Sequence, residues 1–397
     1  MKSEALITDF SDQLKDISQG LSFLGRPRYP LQYLLNNFPE HKEFIEQLED
    51  ISVPLKVDPI LKRQRIREVL ENLEQADLDP WIKKIFVSRL EDYSTLLRMM
   101  EVFGTVFFYQ KCTELYGTGN LKKLESGFHY FIDEVTKTLE SDQSQKIYSG
   151  EEGLEYLEKN LLKVFPADRF EVKASTSLLS DSSAGRRVLK LNSSKQFSEN
   201  QLNIFLVHEG WAHLGTSLNG QEQPLHHWLA SWAPRTTFLQ EGLAVLVELV
   251  TGSMTLERWQ RIKTRHLACL MAEKGSSLKE VYHFLRHQEM DDLDAFKLAL
   301  RVFRGVDPRG GQAFTKELLY LHGLIHLLYH LSFFNLPLSS VFAGKMSFDE
   351  HAAIVAHQEE SKIVSPFFPE ELNSPECQAR LQKLKDLCRA VFKGGFE

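Results

Sequence analysis

From Leu6 to about Gly117, apolar residues return every three or four positions, the period of helices with one buried face, most clearly over Leu61–Leu73 and Ile85–Met100. Pro30, Pro54, Pro59 and Pro80 mark the breaks between these helices. The pattern continues over residues 121–164 and then changes. Two short runs, Arg169–Lys173 and Arg187–Leu191, approach apolar/polar alternation and are too brief for helices. They predict strands, separated by the small polar connection Ser180–Gly185. A helix is expected over Glu199–Leu218 with Ser198 as its N-cap, then a loop from Asn219 to Pro234. Further helices are expected over Thr237–Thr251, Leu256–Glu273, Asp291–Phe303, Ala313–Phe334 and Ser347–Gln358.

This order predicts a mainly helical α+β protein with a small antiparallel sheet beside a long helix. Residues 1–120 would form an N-terminal helical lobe and 121–397 a second domain, the two packed as one unit. With 43% hydrophobic and 25% charged residues, the chain has an ordinary globular composition, which excludes disordered, collagen-like and small disulfide-framework classes. Its 47 Lys and Arg against 54 Asp and Glu leave a net charge of −7. No overall basic field draws in phosphate backbones or anionic membranes, so nucleic acid is not an expected partner. Cys112, Cys269, Cys377 and Cys388 lie far apart and fit free thiols in a reducing compartment. The opening Met1–Glu4, followed by Asp9, Asp12 and Asp16, lacks the basic start and apolar run of a signal peptide, and a cytoplasmic location is expected. Leu318–Leu338 carries no Asp, Glu, Lys or Arg over nearly a bilayer's span, but His322, His326, His330 and Asn335 interrupt it. It reads as a buried helix, and no membrane partner is expected.

The sharpest chemistry lies in His208-Glu209-Gly210-Trp211-Ala212-His213, followed by Gln240-Glu241-Gly242-Leu243-Ala244. In the usual zinc-protease helix the two histidines are four apart, which puts both imidazoles on one face. Five apart in a regular α-helix, they would diverge by about 140°. One wide turn closed by an i to i+5 hydrogen bond would bring them back together, and Gly210 would make that distortion easier. Chance produces about 0.04 such patterns per random chain of this composition. Zinc in catalytic sites takes three protein ligands and keeps one position open, and Glu241 offers the carboxylate to join His208 and His213 around one ion. Glu248, two turns beyond Glu241, is a rival third ligand that spacing cannot separate from it. Glu209 would then stay off the metal and serve as general base and later general acid for the water that the ion acidifies. Manganese or iron would also suit two imidazoles and a carboxylate.

These residues resemble the QEGLA-motif metallopeptidases, which include the microtubule-associated tyrosine carboxypeptidases and bacterial proteins named for modulating flavohemoglobin expression. The marks are the five-spaced histidines with Glu209, the Gln240–Ala244 string, and Phe303-Arg304-Gly305 followed by Gly310-Gly311, Phe314-Thr315-Lys316 and Tyr320. Gly104-Thr105 with Phe108, Tyr116-Gly117 and Gly344-Lys345 are similar too, so the resemblance runs from about residue 90 to 370. It implies a zincin-like zinc carboxypeptidase with His208, His213 and Glu241 as ligands and Glu209 as catalytic base. The residue such enzymes remove is a C-terminal tyrosine, exposed on tubulin tails. The broader expectation here is a tyrosine or another bulky residue at the free C-terminus of a protein or peptide.

A carboxypeptidase must also hold a free carboxylate, for which a guanidinium or an ammonium is the natural partner. Arg304 and Lys316 are the first candidates and Arg235 a further one. Tyr320, one turn beyond Lys316, would donate to the oxyanion that develops during attack. His322, His326 and His330 share one helix face without a carboxylate beside them and read as buried histidines. Two alternatives stay open: a metalloprotease of other positional specificity, and a non-enzymatic regulatory protein that keeps zinc as a structural element. The sequence does not give the oligomeric state.

Overall fold

A computed structural model describes residues 2–21, 57–119, 125–176, 178 and 180–392. The chain runs through α1 (Lys2–Ser18), α2 (Pro59–Gln75), α3 (Pro80–Glu101), α4 (Val106–Tyr116), α5 (Glu125–Thr136) and α6 (Gly150–Leu161). Strands β1 (Glu171–Ser175), β2 (Ser182–Ala184) and β3 (Val188–Asn192) follow. Next come α7 (Glu199–Phe205), a π-helix (Leu206–Leu214), α8 (Gly215–Glu222), α9 (Thr236–Thr251) and α10 (Leu256–Glu273). The chain closes with α11 (Leu278–His287), α12 (Asp292–Val302), α13 (Leu319–Phe333), α14 (Phe348–Ala356), α15 (Gln358–Ser361) and α16 (Pro375–Val391). The mainly helical α+β class is as expected.

Pro59 and Pro80 open α2 and α3 as their first residues, where the missing N–H costs nothing. Asp58 caps α2 by accepting from the N–H groups of Ile60 and Leu61 at 2.8 and 3.2 Å. Pro30 and Pro54 lie outside the described residues. Helices α11 and α16 fall outside the segments expected from periodicity, although Ser277 with Glu280 forms a capping box and Ser374 with Pro375 marks the other start. Residues 313–334 are not one helix: Thr315–Leu318 is a 3-10 turn leading into α13.

The sheet corrects the antiparallel expectation. Its order is β1-β3-β2, with β1 parallel to β3 from Glu171 opposite Val188 to Ser175 opposite Asn192, and only β2 antiparallel. Strand β2 sits in the stretch expected to be a connection. Three residues, Ser182, Ser183 and Ala184, are too few to show an alternating pattern. The short turn closed by the Gly185 N–H to Val188 carbonyl bond makes β3 antiparallel to β2, and β3 takes the centre with β1 and β2 at the two edges.

The described chain forms two compact units. The first comprises residues 1–12, 122–259 and 322–397. In it, β2, α6 and α9 pack against the π-helix, and α16 covers α9. Every residue of α9 from Gln240 to Val250 is buried, as expected of a helix apolar nearly all round. Helices α9 and α13 touch backbone to backbone: a Cβ on Gly242 would lie 2.3 Å from the Gly323 carbonyl group. The second unit comprises residues 13–121 and 260–321. There the Gly104 N–H bonds the Gly305 carbonyl at 3.1 Å, Thr105 caps α4, and Phe108 and Tyr116 pack on Phe314. The Gly104–Gly117 and Phe303–Phe314 marks are thus one packed cluster. Among the described residues, no helix is long and apolar enough to cross a membrane.

Candidate metal centre

Ser198 and Gln201 form a reciprocal capping box that starts the helix carrying the first motif. The helix is regular through α7, widens into the π-helix from Leu206 to Leu214, and returns to α geometry in α8. The five-residue spacing of His208 and His213 is therefore accommodated as expected, by i to i+5 bonding over nine residues. The two rings meet edge to face, with centroids 4.9 Å apart and planes at 88°. Gly210 serves a packing purpose: a Cβ there would lie 2.8 Å from a Leu161 methyl of α6.

From α9, Glu241 brings Oε2 to 3.9 Å from His208 Nε2 and 3.8 Å from His213 Nε2. One donor atom from each of the three residues lies within 4.8 Å of the other two, and no other described group of three or more His, Cys, Asp or Glu does this. Ligand bonds of about 2.0–2.2 Å would set tetrahedral donors roughly 3.3–3.6 Å apart, so Glu241 already lies within a few tenths of an ångström of that spacing from each histidine, and the full set, spread over up to 4.8 Å, would draw together around a small divalent ion. The His322, His326 and His330 row forms no such set. His326 packs between Phe238 and Phe348, His322 lies on Phe128, and His330 bonds His351.

Glu248 lies outside this donor set. It is wholly buried, with Oε1 2.6 Å from His208 Nδ1, and Arg258 grips both of its oxygens at 3.0–3.1 Å. With Nδ1 hydrogen-bonded to a carboxylate, Nε2 of His208 is the nitrogen left to face Glu241 and His213. Burial would raise the Glu248 carboxyl, but Arg258 and His208 outweigh it and hold it down to about 2. Burial pulls His208 down, and Glu248 more than offsets this, so His208 lies above the usual value. His213 has no such partner: burial lowers it to about 4, against a partial opposing pull from Glu241. Its imidazole is accordingly neutral at pH 7, the form that ligates metal.

Glu209 shares the same turn but stays outside this triad. Its Oε2 accepts the Ala184 N–H of β2 at 2.8 Å, so the edge strand fixes the carboxylate. Lys345, near the end of the chain, lies within electrostatic reach of Glu209, Glu241 and His213. Burial lowers its ammonium to about 8, and the two carboxylates partly oppose this.

The remaining expected site residues are not among these donors. Arg235 is exposed and immediately precedes α9. Arg304, Lys316 and Tyr320 belong to the second unit, around the buried carboxylate Glu317. Arg301 contacts both Glu317 oxygens at 2.9–3.2 Å, and Arg265 approaches at 3.5 Å while its guanidinium stacks 4.5 Å from the centre of the Tyr320 ring. Arg304 lies over Phe314 at 5.5 Å. Burial would raise Glu317, but the four surrounding cations hold it at about 2. The residues that sequence reasoning missed are Arg258 and Ala184, which carry no motif, while Lys345 was visible only as a family mark and Glu248 only as a rival ligand.

Two imidazoles and one carboxylate that could hold a metal ion thus converge, with a further glutamate, Glu209, held apart from them. A family model described as microtubule-associated tyrosine carboxypeptidase matches residues 37–388, and the chain belongs to that carboxypeptidase family. Comparison with individually curated proteins gives no match.

Proposed function

We propose that this chain is a zinc-dependent, zincin-like carboxypeptidase that removes a C-terminal tyrosine, or another bulky residue, from a protein or peptide. The observation that carries the reading is the convergence of His208, His213 and Glu241 with Glu209 alongside and outside the donor set. His208 Nε2, His213 Nε2 and Glu241 would hold one zinc ion, which when bound polarises the scissile carbonyl and acidifies water. Glu248, clamped by Arg258, orients His208 through Nδ1. Glu209 has Oε2 anchored on Ala184, which leaves Oε1 to take the proton of the attacking water and hand it to the leaving amine nitrogen. Arg304, Lys316 and Arg235 are assigned as substrate-binding cations and Tyr320 as a donor to the carbonyl oxygen on which charge develops.

The four cysteines are all free and buried, which supports a cytoplasmic setting. The test is mass spectrometry of a peptide library with varied free C-termini, incubated with zinc-loaded wild type and with Glu209→Gln. Loss of one terminal residue with the wild type alone is the expected result. Internal or N-terminal cuts would overturn the positional claim, and metal binding with no cleavage of peptides or of a folded protein substrate would favour a regulatory zinc protein.

A further inference from the structure

Lys345 is placed with more care than a surface lysine requires. The segment before it is tied to the helix that continues from His213. Asn219 of α8 donates Nδ2 to the Phe342 carbonyl at 2.9 Å, and Gln223, just past α8, donates Nε2 to the Ala343 carbonyl at 3.3 Å. Both amides are buried, and each also brackets a second segment. Asn219 pairs with both backbone groups of Phe367, and Gln223 with both of Val364. The Lys345 N–H then bonds the Leu229 carbonyl at 2.7 Å. Only glycine fits at position 344, where a Cβ would lie 2.5 Å from the Leu229 Cβ and 3.0 Å from its carbonyl oxygen. Three backbone tethers and one close approach thus fix the base of a side chain whose ammonium feels Glu209, Glu241 and His213 together.

The charges around it suggest what it is for. Arg258 already matches Glu248. A divalent ion on the triad carries two positive charges, and Glu241 and Glu209 carry two negative ones. Lys345 turns this set net positive, which suits an anionic group on the ligand. The only anionic group that every carboxypeptidase substrate carries next to its scissile bond is its terminal carboxylate.

We infer that Lys345 is the residue that receives the substrate's terminal carboxylate and so restricts the site to free C-termini. This rests on the carboxypeptidase reading above, and two measurements separate their failures. The first is calorimetric binding of N-acetyltyrosine and N-acetyltyrosinamide to the zinc-loaded full chain, which needs no turnover. Wild type should bind the acid about 10–100-fold more tightly than the amide, the range of one charge-assisted hydrogen bond. Lys345→Met and Lys345→Gln should erase that preference, and Lys345→Arg should keep most of it. The second is the kcat/KM of a tyrosine-ended peptide and its C-terminal amide. Lys345→Met should lower the value for the free acid and leave that for the amide within about twofold.

An unchanged acid preference in both neutral variants overturns the assignment. So does an equal fall for acid and amide with kcat alone affected, because that would place Lys345 at the developing oxyanion. If wild type binds the acid selectively but releases no residue from any peptide, Lys345 stands as a carboxylate site and the carboxypeptidase reading fails.

Discussion

Glu209, Glu241 and Glu248 are three glutamates around one pair of imidazoles, and their partners divide the work among them. Glu241 faces both Nε2 atoms, Glu248 is locked between His208 Nδ1 and Arg258, and Glu209 rests on the Ala184 N–H. Glu209→Gln should lower kcat/KM by about 10²–10⁴ while metal content stays at the wild-type level, since Glu209 supplies no donor to the ion. Loss of metal along with activity would show that it is a ligand instead. Glu248→Ala strands the Arg258 charge and frees the His208 ring. Metal affinity should fall by about 10–100-fold in chelator competition, and an unchanged affinity would refute the orienting role. The convergence of His208 and His213 was legible because their five-residue spacing shares a face only in a widened helix. The choice between Glu241 and Glu248 was not, because both lie on one face of α9 and only the third dimension tells which carboxylate the imidazoles meet.

The π-helix turns an unfavourable spacing into a shared face, and it depends on its neighbours. It is packed by α6 through Gly210 and by α9, while α9 is in turn pressed on α13 at Gly242 and Gly323. Gly242→Ala would put a methyl carbon 2.3 Å from backbone that cannot rotate away. Overpacking of this kind costs about 1–3 kcal/mol. The melting temperature should drop by several degrees and metal affinity should weaken as Glu241 is displaced, whereas an unchanged melting curve would show that the crossing is looser than described. Helix-forming segments such as Leu256–Glu273 were readable to the residue, since many apolar positions repeat the period. Strand β2 was not, because a three-residue edge strand is specified by its partner β3 and not by its own side chains.

Acid should unfold the chain in two stages. His351 is buried and His326 half-buried, both are uncharged at pH 7, and desolvation brings them down to about 3 and about 4, with His330 adding to the effect on His351. An imidazole whose pKa is lower in the folded state binds fewer protons there than in the unfolded chain. Stability should therefore fall as pH drops below about 6.5, by up to about 1.4 kcal/mol per unit for each such histidine. Glu317, held at about 2, acts below that range, with its contribution present above about 4.5 and lost as pH falls toward 2. Urea titrations of metal-free protein at pH 7 and pH 5 test the first stage. His326→Gln should flatten the difference, and equal stabilities at the two pH values would contradict it. The grouping of residues 260–321 with 13–121 carries no signature in the sequence, because periodicity marks a helix's buried face without naming the neighbour that covers it.

The most direct measurement is metal stoichiometry and affinity, by elemental analysis with chelator competition, for the wild type, His208→Ala, His213→Ala, Glu241→Ala and Glu248→Ala. One tightly held zinc per wild-type chain is expected, with the ion lost in the first three variants and retained more weakly in Glu248→Ala. Full retention in Glu241→Ala, or no zinc in the wild type, would contradict the assignment of these three residues as one catalytic metal site.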